Sequence, residues 1–349
     1  MSPKEKQKPF GTAAGLAGSV ALETGVELGE IGDVKARGYW ELVWIRFRRD
    51  RVAIASGIFI ILLVTASFLG AWIAQKLLGH GPNDLFFDGV DDRLIPKGPM
   101  AHVHDPRTGK EGLLILGADG TLGRDLFLRL LYGGRVSLEV AVLSTFGAMS
   151  IGVLLGAIAG YFRGWVDTII ARITEVTMAF PALLFIIALA STVGGRLDAV
   201  TFGIFAKGVI TLVLVFTVFG WFYPCRIIRA QVLSLREKEF VEAARMIGAS
   251  DARIIRSHLL PHLVAPIIVY SSLVVAGYVL GEAGLSFLGL GIKLPTASWG
   301  NLLSAAPEFY TAQPWLMVWP GLMVLLTTLS FNLLGDGLRD AFDPRSGGR

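Results

Sequence analysis

No charged side chain interrupts Val52 to Gln75, a stretch dominated by isoleucine, leucine, valine and alanine. A helix needs roughly 20 apolar residues to cross the hydrocarbon core of a bilayer, and this run is long enough. A comparable segment begins near Val136, and others occupy Ile169 to Ser191, Gly203 to Pro224, Leu263 to Leu285 and Trp315 to Leu334. The pattern predicts an all-α polytopic membrane protein with six transmembrane helices. With 53% of its 349 residues hydrophobic and 17% charged, the chain is too apolar for a solvated globular surface.

Charge orients the spans. Arg46, Arg48, Arg49 and Arg51 precede the first one, so the chain is expected to start in the cytoplasm and cross outward. Inner segments carry Arg163, then Arg226, Arg229, Arg236, Lys238, Arg245, Arg253 and Arg256, then Arg339, Arg345 and Arg349, whereas the short outer loops offer Arg196 and Lys293. Both termini are therefore expected inside. These flanks account for the net charge of +4 without a nucleic-acid partner. The expected divisions are a flexible leader over 1–38, an amphipathic flank with the first span over 39–78, and an extracytoplasmic loop over 79–135, in which "GLLILGADG" suggests one short strand. A five-span core over 136–335, holding a polar loop at 236–261, and a tail over 336–349 complete the chain.

Several residues within this frame carry specific expectations. Gly152, Gly156 and Gly160 recur every fourth residue and put a flat groove on one face of the second span, which lets helices approach closely in lipid. Arg172 and Glu175 are three apart in the third span and can pair on one face. Glu175 is also a candidate for a transport pathway, as is Glu282 near the outer end of the fifth span, which could equally hold local backbone donors. Pro181 predicts a kink. Cys225 is the only cysteine, so no intrachain disulfide can form. His102 and His104 would face the same way in an extended segment, with Asp105 adjacent and His80 upstream. Nothing in that spacing fixes a third ligand, and no metal is expected. The motifs G-x-x-x-x-G-K-[ST], H-E-x-x-H and G-x-S-x-G are missing, so neither catalysis nor a cofactor is expected of this chain.

The polar stretch from Glu239 to Pro261 stands apart. Phe240, Ala243, Ala244 and Ile247 fall at helical spacing and form one apolar face. Gly248 can take the left-handed conformation that ends a helix, Ser250 or Asp251 can cap the next, and Pro261 is expected to close that second helix near Leu260. The result is a cytoplasmic helix, turn and helix whose narrow alanine face suits a groove in another protein.

"EAARMIGASDARIIRSHLLP" resembles the EAA loop of permease subunits in binding-protein-dependent ABC importers, with Glu242, Ala243, Ala244 and Gly248 at the family spacing and Leu260-Pro261 at its end. "LGRDLFLRLLYGGRVSL", "AFPALL", "EAGLSFLGLGI", "SWGNLL" and "FNLLGDGLRDAFDPR" are similar to the second membrane subunit of dipeptide and oligopeptide importers, over about Trp40 to Arg345. The resemblance implies a type I importer permease (MetI-like) fold with a cytoplasmic coupling helix, in a bacterial inner membrane. It implies a sister permease, two ATPase subunits that bind ATP and Mg, and an external binding protein that delivers peptide. It assigns Phe240, Glu242, Ala243, Ala244, Gly248, Leu260 and Pro261 to the contact with the ATPases. The leader, and a loop enlarged from about Gly79 to Leu116, depart from the family pattern. The same architecture could carry nickel complexes, glutathione or another small solute, while the polar loop argues against an ATP-independent secondary transporter.

Overall fold

The computed structural model describes residues 38–104, 109, 111–192 and 205–343. The expected leader, apart from Gly38, lies outside the described residues, as do Asp105, Arg196 and 344–349. The chain divides into a small unit, Met1–Val43, and a body, Trp44–Arg349. In the small unit the described residues open helix α1 (Tyr39–Phe47), where the rings of Tyr39 and Trp40 meet edge to face at 5.6 Å.

In the body, Asp50 starts the first long helix. Its carboxylate accepts from the backbone N–H groups of Val52 and Ala53 at 2.9 and 3.0 Å, satisfying two donors that a helix start leaves open. Helix α2 runs Arg51–Leu78 through a π turn at Ala66–Gly70. The loop after it holds two small hairpins where one strand is expected: β1 (Ala101–His104) pairs antiparallel with β2 (Glu111–Leu114), and β3 (Ala118–Asp119) with β4 (Arg124–Asp125).

Helix α3 (Leu126–Phe162) begins well before Val136. Two effects explain the early start. Asp125 caps the helix by accepting from Phe127 and Leu128, and the charged residues of its first turns are paired, Arg129 with Asp119 at 2.6 Å and Arg135 with Glu139 at 2.8 Å. The third segment is two helices, α4 (Gly164–Ala179) and α5 (Ala182–Thr192). Pro181 breaks it rather than kinking it, because Pro181 has no N–H to give and Phe180 turns to extended backbone with ψ of 131°.

Helix α6 (Val209–Leu235) passes beyond Pro224, where the apolar run suggested an end. A bend at Trp221 restarts the helix at Phe222, so Pro224 falls in a first turn, where a missing N–H loses little. Short helix α7 (Glu239–Met246), long helix α8 (Asp251–Phe287), short helix α9 (Trp299–Ala305) and helix α10 (Trp315–Phe342) follow. In α10 the apolar run ends near Leu334 but the helix does not, since polar residues leave hydrocarbon without leaving helical geometry. Among the described residues, α2, α3, α6, α8 and α10 are long and apolar enough to cross a membrane.

The glycine stripe of α3 packs closely against α6. A Cβ added at Gly152, Gly156 or Gly160 would sit 2.7 Å from the Trp221 carbonyl oxygen, 2.5 Å from that of Cys225 and 2.8 Å from that of Arg229, so the backbones of α3 and α6 are in direct contact. Cys225 itself is buried in this seam beside Ala159, Ile170, Trp221 and Phe222. Gly277 of α8, by contrast, would place a Cβ with nothing within 4 Å of it. Gly156→Ala should lower the thermal stability of the isolated subunit in detergent by about 1–3 kcal/mol, the usual cost of overpacking. Gly277→Ala, measured the same way, should leave it within about 0.5 kcal/mol or raise it slightly.

Candidate functional site

The polar loop folds as a helical hairpin. Helix α7 ends in a Schellman arrangement: Gly248 N–H donates to the Arg245 carbonyl at 2.9 Å, and Ala249 N–H to that of Ala244 at 3.0 Å. Gly248 holds φ of +79°, a value strained for any residue with a side chain. Ser250 occupies the N-cap position of α8, but its side chain makes no capping bond, and Asp251 gives its carboxylate to Tyr161 instead.

Pro261 does not close the second helix. A π segment at Ile254–Leu259 precedes it, and the helix continues unbroken from Asp251 to Phe287. The wider π turn re-registers the backbone bonds just where proline removes a donor, so the chain need not stop. The second half of the loop and the fifth expected span are therefore one continuous helix, which also runs through Pro266.

The apolar face of α7 also divides differently from the helical spacing alone. Val241 and Ala244 are buried with Ala157, Tyr161, Ile228, Val232, Ile254, Leu259 and Leu263. Phe240 is half-buried and stacks on His262 of α8, with centroids 4.8 Å apart. Ala244 and Phe240 thus pack within the chain, and Leu260 is half-buried beside them. Glu242, Ala243 and Pro261 are exposed. Met246 and Ile247, 82% and 84% exposed, join Glu242 and Ala243 on the free surface of the hairpin tip. Sequence reasoning passed over Met246 and Val241. The signal for Met246 was two adjacent bulky apolar residues immediately before a helix-ending glycine.

The two span carboxylates differ. Glu282 of α8 is fully buried, and its two oxygens accept from the hydroxyls of Ser137 (α3) and Ser286, each at 2.6 Å. Those hydroxyl oxygens in turn accept from backbone: Trp299 N–H to Ser137 at 3.3 Å, and Ile292 N–H to Ser286 at 3.0 Å. Glu282 thus holds backbone donors through two serines. Glu175 sits on the exposed side of α4, paired with Arg172 at 2.7 Å.

The histidines do not converge. His102 and His104 share the exposed face of β1, while His80 is buried and bonds Asp125 at 2.7 Å. Nearby Asp88 is engaged by Lys97 at 2.7 Å, and that hydrogen bond holds its carboxyl below the usual range. Among the described residues no group of three or more potential ligands is placed to hold a metal ion.

Residues 152–347 match the family described as binding-protein-dependent transport system inner membrane component. The chain belongs to that family. It is a permease subunit of an ABC importer. Residues 38–93 of this permease also match the N-terminal transmembrane domain of oligopeptide transport permease C. Similar curated proteins include the glutathione transport system permease protein GsiD of Pectobacterium atrosepticum, 38% identical over 90% of this chain and 94% of that protein. The dipeptide transport system permease protein DppC of Alkalihalophilus pseudofirmus is 41% identical over 64% of this chain and 69% of its own. Among solved structures, the MetNI methionine ABC transporter in inward-facing conformations aligns with 62% of this chain and 96% of its own, at 17% identity and a TM-score of 0.47.

Because Glu282 is out of solvent and already bonded, Glu282→Leu should leave two buried serines without an acceptor and lower the subunit's stability by about 2 kcal/mol or more. Glu282→Gln, which keeps one acceptor, should leave the affinity of uptake unchanged; a raised half-saturation concentration would place Glu282 in contact with cargo.

Proposed function

We propose that this permease, with a sister permease, forms the pathway through which di- and oligopeptides enter the cell, delivered by a solute-binding protein and driven by two ATPase subunits. The observation that carries the reading is the hairpin tip. Glu242, Ala243, Met246 and Ile247 form an exposed surface with one carboxylate among apolar groups, on a helix joined by a single left-handed residue to a rod that enters the spans. Such a surface suits helix-in-groove docking with a basic or amide donor opposite the carboxylate. The chain carries no phosphate-binding loop, so ATP and Mg bind to the partner subunits.

In this reading α4 and α5 together make the third of six spans, and both termini lie in the cytoplasm with the hairpin. The arginines and lysine of 226–256 support that orientation. The exposed Arg172–Glu175 pair then faces the pathway or the sister subunit rather than lipid, where charge is costly. Phe240, Ala244, Leu260 and Pro261 shape the hairpin, and Glu242 and Ala243 meet the ATPase. Glutathione, itself a small peptide, is the favoured second cargo, since the GsiD proteins align along most of this chain.

Two measurements test this. Glu242→Lys should cut ATP-driven dipeptide uptake at least about tenfold, the effect of an unpaired buried charge at an interface, while membrane insertion is normal. Wild-type uptake would remove the hairpin from the ATPase contact. In a Cys225→Ser background, Met246→Cys expressed without partners should react with an impermeant maleimide in inside-out vesicles and not in intact cells, and co-expressed ATPase subunits should protect it.

A further inference from the structure

One side chain touches every element that meets at the hairpin. Tyr161 lies in the last turn of α3 and is 4% exposed. Its hydroxyl donates to Asp251 Oδ1 at 2.6 Å, at the first residue of α8 and just past the Gly248 turn. The guanidinium of Arg245, in the last turn of α7, lies 5.3 Å from the ring centroid, and that of Arg236, which follows α6, lies 5.8 Å from it. Arg236 also donates to the Tyr161 backbone carbonyl. Asp251 stands at the first residue of α8, a helix end that suits a negative side chain, and its carboxylate oxygen accepts the Tyr161 hydroxyl.

We infer that Tyr161 is a positioning residue for energy coupling: its hydrogen bond to Asp251 links the hairpin to α3, so that a displacement of the hairpin is transmitted to α3 as well as to α8. The inference rests on the reading that the hairpin receives the ATPase. Hydrophobic packing around Tyr161 holds the elements together with or without the hydroxyl, because Ala157, Val232, Val241, Ala244 and Ile254 belong to the same buried cluster. What the hydroxyl adds is direction. A packed contact tolerates sliding, whereas a short charge-assisted hydrogen bond fixes one atom of α3 to one atom of α8. Its place beyond Gly248 matters, since the glycine turn is the point at which α7 and α8 could otherwise move independently.

The test uses the whole transporter, with its sister permease, ATPases and binding protein, in proteoliposomes. Peptide taken up per ATP hydrolysed is the readout. Tyr161→Phe keeps the ring, its burial and the ring's contacts with both arginines, and removes the hydroxyl with its hydrogen bonds to Asp251 and Arg245. It should lower peptide per ATP roughly tenfold, the scale of one lost charge-assisted hydrogen bond, with the complex intact and basal hydrolysis retained. Asp251→Ala should do the same, Asp251→Asn should restore most coupling because an amide oxygen still accepts, and Tyr161→Phe with Asp251→Ala should be no worse than either alone. An unchanged ratio in Tyr161→Phe, or uptake and hydrolysis falling together as the complex dissociates, overturns the proposal. ATP-independent uptake by the wild type would overturn the underlying reading and the coupling role with it, an outcome visible before any variant is made.

Discussion

Hydrocarbon offers a polar group nothing to bond to, so a charged side chain buried within the spans depends on partners in the protein. Glu282 collects Ser137 and Ser286, whose oxygens accept the N–H groups of Trp299 and Ile292, and this ties α3, α8 and the start of α9 to one carboxylate. Arg129 does the same at the loop end of α3, with Asp119, Asn83 and the Pro295 carbonyl. Asp167 and Arg229 join α4 to α6. Lipid-facing leucines could slide past one another at little cost; the fully buried Glu282 cannot, because a lost partner there is not replaced by water.

Close approach is the second requirement, and it was visible in the sequence. The spacing of Gly152, Gly156 and Gly160 announces a groove, and the structure fills it with the backbone of α6. The left-handed turn at Gly248 is equally local, settled within a few residues. The rest was hidden for a physical reason. Glu282 and Ser137 are separated by 145 positions, and no period or composition connects them. The inward face of α7 was misread because the helix is short: Ala243 and Ala244 are chemically alike, and only the cluster around Tyr161 decides which of them is buried.

Prolines make the same point. Pro181 breaks a helix, Pro224 opens one and Pro261 lies within one. The residue's own chemistry is identical in each case, a fixed φ and a missing donor. The outcome depends on whether the preceding turn can supply another geometry, as the π segment at Ile254–Leu259 does and the extended Phe180 does not.

The unbroken course through Pro261 has a mechanical consequence. Helix α8 contains 37 residues, about 55 Å at 1.5 Å per residue, and begins at the hinge beside Gly248. A rotation of about 5° at that hinge would carry the far end of such a rod by about 5 Å, provided the rod stays straight. A stop at Leu260 would have absorbed the motion in a flexible joint. The far end, however, is fastened to α3 by Glu282, so α8 cannot swing alone. With Tyr161 bonded to Asp251 at one end and Ser137 to Glu282 near the other, α3 and α8 are joined as two rails with two crossbars. In the proposed coupling, a push on the hairpin would be shared by α3 and α8 through these two bonds.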